Sequence, residues 1–256
     1  MGVLDGKVAV VTGGSRGLGL SIAGAFAASG AAVVVASRSP GSVDAAVQSI
    51  RAAGGQAAGA SVDVTDRAQV QSLADLALDR FGRLDVWVNN AGIAGPYGPT
   101  LDLNPDEFTA VVQTNILGTY YGSRTAMRHF VAQGAGKLIN LLGRGYRGPL
   151  PWQNAYGSSK AWVRAFTLAL AEETKDSGAG VFAFNPGMVL TELLTDVDVI
   201  EGSEERLKAF PAVLRMWAKP PETAAQKAVW IASPATDGKT GLLVSLTSPG
   251  TMLAGA

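Results

Sequence analysis

The chain has 256 residues, with 21 basic and 21 acidic side chains, one histidine and no cysteine. This length is ample for one large domain with a sizeable core. Balanced charge without a basic block argues against nucleic acid as a partner. The single His129 and the lack of cysteine argue against a metal site. No stretch approaches the ~20 apolar residues that span a membrane, so we predict a soluble, cytoplasmic domain.

The first half of the chain alternates apolar, strand-like runs with helical patterns. Strands are predicted over residues 7–12, 31–36, 57–62 and 84–89. The first strand is followed by a glycine turn, Gly13-Gly14-Ser15-Arg16-Gly17-Leu18-Gly19. Because glycine lacks a Cβ atom, such a turn can approach a pyrophosphate closely, and the next helix offers free N–H groups. The turn predicts a dinucleotide site, although a bland glycine-rich turn fits too, and its GxxxGxG spacing differs from the commoner GxGxxG.

The end of the second strand indicates which dinucleotide binds. An acidic residue would bind the ribose 2′-hydroxyl of NAD there, and none is present. Arg38, with Ser37 and with Arg16 of the glycine turn, instead offers donors suited to a 2′-phosphate. We therefore expect NADP(H) to be preferred over NAD(H); a solvated Arg38 at the strand end is the alternative. Asp63, after the third strand, could accept from an adenine amino group.

The middle of the chain holds a conspicuous asparagine. The strand over 84–89 ends at Asn89-Asn90-Ala91-Gly92, where small, turn-prone residues follow. One long helical pattern then covers residues 108–133, with Asn115 inside it. A buried helical Asn needs hydrogen-bond partners, so Asn115 either satisfies a kinked backbone or organises water.

Tyr156 and Lys160 start an apolar helical run after a strand over 137–142. Residues four apart lie on one face of a helix. A fixed positive charge nearby stabilises a phenolate and lowers the pKa of the tyrosine, so Tyr156 could act as general acid or base. An amphipathic helix with an exposed Tyr and Lys is the alternative.

The last part of the chain alternates in the same way. A strand over 179–184 leads through Asn185-Pro186-Gly187 into residues 190–221, which we call the lid segment. It places Phe210, Met216 and Trp217 among charges, which fits a mobile substrate lid with one or two short helices. A helix over 222–232 and a strand over 242–246 follow.

Taken together, these motifs resemble the short-chain dehydrogenase/reductase family along essentially the whole chain. The resemblance implies an α/β, doubly wound Rossmann fold, with a single domain of about seven parallel strands flanked by helices. It also implies a nicotinamide cofactor, a small-molecule substrate and a homo-oligomer, a tetramer or dimer. By resemblance Tyr156 is the proton donor, Lys160 holds the nicotinamide ribose and lowers the pKa of Tyr156, and Asn115 maintains a water relay. The cofactor would be lined by the glycine turn and by Asp63, Val64, Asn90, Pro186, Gly187, Val189 and Thr191.

One position departs from the family. A serine that hydrogen-bonds the substrate oxygen is expected thirteen residues before the tyrosine, where this chain has Gly143. Tyr146, Gln153 and Asn154 could replace that donor. Alternatively, Gln153 and Asn154 cap the helix and Tyr146 belongs to the core or pocket wall. If one of the three compensates, Gly143→Ser should raise the activity little. If the site simply lacks a donor, Gly143→Ser should raise kcat on simple ketones.

The predicted function is that of an NADPH-dependent oxidoreductase acting on a carbonyl or secondary alcohol, with Tyr156 supplying the proton. One alternative keeps the cofactor but performs an atypical step, such as imine or alkene reduction, dehydration or epimerisation. Another is a catalytically weak protein that binds the cofactor for regulation.

Overall fold

Seven apolar runs pair into one parallel sheet in the computed structural model, which describes residues 2–246. Its spatial order is β3-β2-β1-β4-β5-β6-β7, so the chain winds outward from β1 and then returns to β4 on the other side. The carboxyl ends of all strands share one edge, and the reversal between β1 and β4 opens a crevice there, here called the cleft. The predicted doubly wound fold is confirmed. The strands are β1 (Val8–Thr12), β2 (Ala32–Ser37), β3 (Gln56–Ser61), β4 (Val86–Asn89), β5 (Gly136–Leu141), β6 (Ala179–Asn185) and β7 (Leu242–Ser245).

Helices cover both faces of the sheet, which explains why β1, β2 and β6 are buried along nearly their whole length. Ala9 and Val11 of β1 face one helical layer, whereas Val8 and Val10 face the other. The first layer contains α1, α2 and α9, and the second contains α3 and α5. The helices are α1 (Gly17–Ala28), α2 (Pro40–Ala52), α3 (Arg67–Phe81), α4 (Pro105–Val111), α5 (Gly118–Gln133), α6 (Asn154–Glu173), α7 (Glu192–Thr195), α8 (Phe210–Trp217) and α9 (Pro221–Ala232).

The long helix predicted over 108–133 is interrupted. Residues Val112–Leu117 form a π-helical segment between α4 and α5, with Asn115 buried inside it. The lid segment holds α7, a 3₁₀ turn over Glu204–Leu207, and α8. No helix within residues 2–246 combines the length and the apolar character needed to cross a membrane.

A buried polar network joins the sheet to the helix that carries Tyr156. Trp87 donates its indole N–H to Asn89, and Asn89 Nδ2 donates to Asn140 Oδ1 at 2.8 Å. Asn140 Nδ2 in turn donates to the hydroxyl of Thr167 on α6, at 3.0 Å. Because an unpaired buried polar group costs about 1–3 kcal/mol, the network penalises any shift of α6 against β4 and β5.

Candidate active site

The structure brings Tyr156 and Lys160 together at the carboxyl edge of the sheet. Both side chains lie on the first turns of α6, and Lys160 Nζ is 5.6 Å from the centroid of the Tyr156 ring. Lys160 Nζ also donates to the carbonyl oxygen of Leu141, at the end of β5, at 3.1 Å. The helical spacing read from the sequence therefore places the two groups on one face.

Burial governs the protonation of both groups. It raises the pKa of Tyr156 to about 12 and lowers the pKa of Lys160 to about 8. The lowered Tyr156 pKa expected from the sequence is not found here, because burial of the phenol disfavours its charged form. At neutral pH Tyr156 is a protonated phenol, which is the form that donates a proton.

Asn115 links the loop after β4 to α6. Its Oδ1 accepts from the N–H of Ile93 at 2.9 Å, and its Nδ2 donates to the Ile93 carbonyl at 2.9 Å. The second Nδ2 hydrogen goes to Ser159 Oγ at 3.0 Å, and Ser159 Oγ donates to the Tyr156 carbonyl at 2.7 Å. Asn115 thus lies in a distorted helix, and both its donor hydrogens bind groups of the loop after β4 and of α6, not the backbone of its own segment.

Ser159 is a site residue that the sequence analysis missed. It lies three residues after Tyr156 and is fully buried. A serine inside a helix ordinarily donates to a preceding carbonyl oxygen, so its presence in the sequence does not by itself indicate a site residue. Its role appears only once Asn115 is placed beside it.

Gly143 leaves room for the Tyr156 hydroxyl. A Cβ atom at position 143 would overlap that hydroxyl and would lie 3.0 Å from Cζ of the ring. The φ angle of Gly143 is not positive, so its backbone suits other residues. A side chain at position 143 would therefore need the Tyr156 ring to shift, since Tyr156 fills the volume where a serine side chain would begin.

The three candidate replacement donors lie in different environments. Tyr146 packs with Leu142 and Val163, is 4% exposed, and has a buried hydroxyl without a partner in the described residues. Tyr146 thus belongs to the core, as the alternative reading held. Asn154 is exposed and donates to Thr100 Oγ1 at 3.2 Å.

Gln153 is half-buried directly before α6, and its side chain caps no helical N–H. Gln153 occupies the N-cap position of α6, and its carbonyl oxygen accepts the Gly157 N–H at 2.8 Å, so it caps the helix through its backbone and not through its amide. The capping explanation is wrong for Asn154, whose amide binds Thr100. Gln153 is the candidate that neither belongs to the core nor binds Thr100, and it lies next to the first turn of α6.

The glycine turn fits a dinucleotide. Gly13 has φ +61°, and a Cβ on Gly19 would overlap the Gly13 carbonyl oxygen. Asn90 Nδ2 donates to that carbonyl at 3.0 Å, which holds the turn against the end of β4. The N-terminus of α1 follows, and Arg16 before it provides no side-chain cap. Its first N–H groups are therefore suited to a pyrophosphate.

The predicted phosphate-selecting residues flank the end of β2. Arg38 is exposed, and the Ser37 hydroxyl is buried without a partner in residues 2–246. Arg16 Nε instead lies 3.6 Å from Glu192 of α7, in an exposed ion pair. Asp63 Oδ1 accepts from the Thr65 N–H at 2.9 Å. The structure thus brings Arg38 to the expected edge, but leaves Arg16 bound to the lid segment.

The lid segment begins beside the glycine turn. Thr191 lies 3.3 Å from where a Cβ of Gly17 would be, and both line an open pocket of about 300 Å³. Gly187, with φ +75°, donates its N–H to Asn185 Oδ1 at 3.2 Å. Four residues expected to line the cofactor adjoin this region: Pro186, Gly187, Val189 and Thr191. Val64, which was also expected there, is buried near Gly118.

The fold, the glycine turn and the Tyr–Lys pair define a nucleotide-dependent oxidoreductase. The chain belongs to the short chain dehydrogenase family, whose model matches residues 7–199. It is 33% identical over 93% of its length to glucose 1-dehydrogenase 2 of Bacillus subtilis (strain 168), and the match covers 92% of that protein. The resemblance found in the sequence is thereby confirmed.

Two solved structures with the same fold contain nicotinamide cofactors, one NADH and the other NADPH. A 3-ketoacyl-(acyl-carrier-protein) reductase from Brucella melitensis complexed with NADH has a TM-score of 0.84 and 31% identity, covering 95% of this chain and 97% of that one. An actinorhodin polyketide ketoreductase with NADPH has a TM-score of 0.86 and 26% identity, covering 96% and 97%. These neighbours support a nicotinamide cofactor for this chain.

Lys160→Met should raise the free energy of unfolding at pH 7. Burial lowers the pKa of Lys160 to about 8, from 10.5 for an ordinary lysine, so the folded chain disfavours its charge. Between these values the unfolded chain binds more protons, and the wild type gains stability as the pH rises. The advantage of the variant should therefore shrink between pH 8 and 10.5, which urea unfolding at pH 7 and 9.5 measures.

The control is Lys239→Met, because Lys239 is exposed and also donates to a backbone carbonyl, that of Ala235. We expect no comparable gain from it. A Lys160→Met protein less stable than wild type at pH 7 would show that the bond to Leu141 outweighs the cost of burial.

Proposed function

We propose that the protein is an NADPH-dependent reductase of a carbonyl group, acting also on the corresponding secondary alcohol or on a related C=N bond. The observation that carries the proposal is the placement of Tyr156 and Lys160 on one face of α6 at the carboxyl edge of the sheet, with Lys160 Nζ 5.6 Å from the centroid of the Tyr156 ring. A ketone needs a proton on its oxygen as its carbon is reduced, and a positioned acid of this kind contributes about 10²–10⁴ in rate.

The cofactor would be held along the carboxyl edge of the sheet. When bound, its nicotinamide supplies or accepts a hydride. The glycine turn and the N-terminus of α1 would bind its pyrophosphate, and Asn90 and Thr191 would border it on either side. Lys160, buried next to Tyr156, would hold the nicotinamide ribose through its ammonium.

The residues around Tyr156 then have distinct tasks. Tyr156 Oη would donate the proton to the substrate oxygen, and Ser159 would hold the backbone of Tyr156 through the bond to its carbonyl. Asn115 fixes Ser159 in turn, and within this proposal it also organises the water relay. Gln153 would supply the second donor to the substrate oxygen in place of the serine missing at Gly143.

A preference for NADP(H) is part of the proposal. Its support is the exposed Arg38 at the end of β2, where no acidic residue follows the strand. The buried Ser37 hydroxyl lies beside it. Arg16 would join them after leaving Glu192, because an exposed ion pair at 3.6 Å is weak.

We also propose a cytoplasmic homo-oligomer, a tetramer or dimer. Its support is an aromatic surface shared by α5 and α6, where Trp162 and Phe166 stack with centroids 4.7 Å apart. Tyr120 contacts Phe166 edge-on and is 40% exposed. Aromatic rings clustered on a partly exposed surface are typical of protein interfaces.

Turnover of NADPH with a panel of ketones, followed by absorbance and product analysis, tests this function. NADPH should bind more tightly than NADH by roughly 1–3 kcal/mol, as charge-assisted phosphate contacts contribute, and Arg38→Ala should remove most of that difference. Arg80→Ala, an exposed arginine on α3, is the matched control. Equal or tighter NADH binding by calorimetry contradicts the preference, and tight NADPH binding without turnover would favour the regulatory alternative.

A further inference from the structure

Three loops from the carboxyl edge of the sheet meet beside the start of α6. Tyr97, in the loop after β4, donates its N–H to the Asp198 carbonyl of the lid segment at 2.8 Å. The N–H of Ile200 donates back to the Tyr97 carbonyl at 2.9 Å. Gly98 donates to the carbonyl of Trp152, in the loop after β5, at 2.8 Å. The middle of the lid segment is therefore hydrogen-bonded to the loop after β4, which in turn is hydrogen-bonded at the next residue to the loop after β5.

An arginine of the lid segment stacks on Trp152. The guanidinium carbon of Arg206 lies 3.8 Å from the centroid of the Trp152 ring, well inside the range of a cation–π contact. Within residues 2–246 Arg206 forms no ion pair, while the neighbouring Glu205 is engaged by Lys208. The tryptophan ring is thus the partner that the structure provides for this charge.

The backbone of Trp152 is unusual for so large a residue. Its φ is +69°, and it is the one non-glycine residue with a positive φ among those described. This conformation is strained for a bulky side chain and suits glycine or asparagine better. A tryptophan here at such a cost indicates that its ring is needed at this point.

Trp152 is also connected to the proton donor. Gln153 follows it in the chain, and the Gln153 carbonyl accepts the N–H of Gly157 at 2.8 Å. Gly157 is the residue after Tyr156 on α6. A contact between Arg206 and Trp152 therefore joins the lid segment to the turn that carries Tyr156.

We propose that Trp152 and Arg206 form a clasp that holds the lid segment over the cleft and thereby retains the substrate beside Tyr156. Both are positioning residues, since neither is placed on the reacting atoms. The inference rests on the proposed function, because it assigns how that site keeps its substrate.

Kinetics on one ketone test the clasp. Arg206→Ala should raise KM about 2- to 5-fold, the range expected for losing a partly exposed cation–π contact, with kcat nearly unchanged. Trp152→Leu should raise KM by the same factor. Trp152→Phe has the same backbone strain but keeps an aromatic ring for Arg206, so its KM should stay close to that of the wild type. The double variant of Arg206→Ala with Trp152→Leu should have the same KM as either single variant, because both single variants lose the same contact. Arg215→Ala, on α8 of the same lid segment, is the matched control and should leave KM unchanged.

Hydrogen exchange of the lid segment gives a readout that needs no turnover. Its amides should exchange faster in Arg206→Ala and Trp152→Leu than in wild type or Arg215→Ala. If exchange changes but no ketone is reduced by any form, the clasp stands and the proposed function falls. If ketones are reduced and neither KM nor exchange differs between Arg206→Ala and Arg215→Ala, the clasp is overturned.

Discussion

Tyr156→Phe should lower kcat for ketone reduction by about 10²–10⁴-fold, the usual contribution of a positioned general acid. The phenylalanine ring keeps the shape and packing of Tyr156 and removes only the hydroxyl, whose pKa of about 12 keeps it protonated at working pH. Affinity for NADPH should therefore change little. NADPH oxidation measures the first effect and calorimetry the second.

Tyr120→Phe removes a hydroxyl from the exposed surface of α5 and serves as the control, with activity expected to match wild type. Retention of more than a tenth of the wild-type kcat by Tyr156→Phe would remove Tyr156 from the role of proton donor. The reduction would then draw its proton from another group at the cleft.

Gly143→Ala should lower kcat towards the level of Tyr156→Phe. The new Cβ would overlap the Tyr156 hydroxyl, so the ring must swing away from the position it now holds. Steady-state kinetics of the two variants and of the double variant measure this. Because both changes act through one hydroxyl, the double variant should be no slower than Tyr156→Phe alone.

Gly148→Ala provides the matched control in the same loop, since a Cβ there meets nothing within 4 Å. It should leave kcat unchanged. From this geometry we expect a loss for Gly143→Ser as well, in place of the small change or the gain in kcat that the sequence suggested. A Gly143→Ser protein as active as wild type would show that Tyr156 works equally well from a second position.

The strands could be predicted closely because their apolar runs are bounded by glycines and polar turns. The run before Gly13, for instance, can form only a short buried strand; β1 ends at Thr12, as predicted, and begins one residue later than predicted, at Val8. The π-helical segment around Asn115 was not predictable, since a wider turn leaves the apolar pattern on either side nearly intact. Only the bonds of Asn115 to Ile93 and Ser159 show where it lies.

The site was predicted in its members more than in its chemistry. The spacing of Tyr156 and Lys160 was enough to place both on one face of α6. The direction in which the pKa of Tyr156 shifts could not be predicted. It depends on how deeply the phenol is buried and on its distance from charged groups, and the sequence gives neither. The crowding of Gly143 by Tyr156 likewise depends on how closely the loop after β5 passes α6.

The π-helical segment carries one more residue than an α-helical turn of the same bonding pattern would need. Deleting one residue from Val112–Leu117 would let α4 and α5 fuse into a regular helix, and would rotate one against the other by roughly a hundred degrees. Asn115 would then turn away from Ile93 and Ser159, although the apolar face of α5 could still pack on the sheet. The extra residue therefore rotates the residues before it relative to α5 without breaking the helix. Asn115 can then face the site while α5 keeps its apolar face on the sheet.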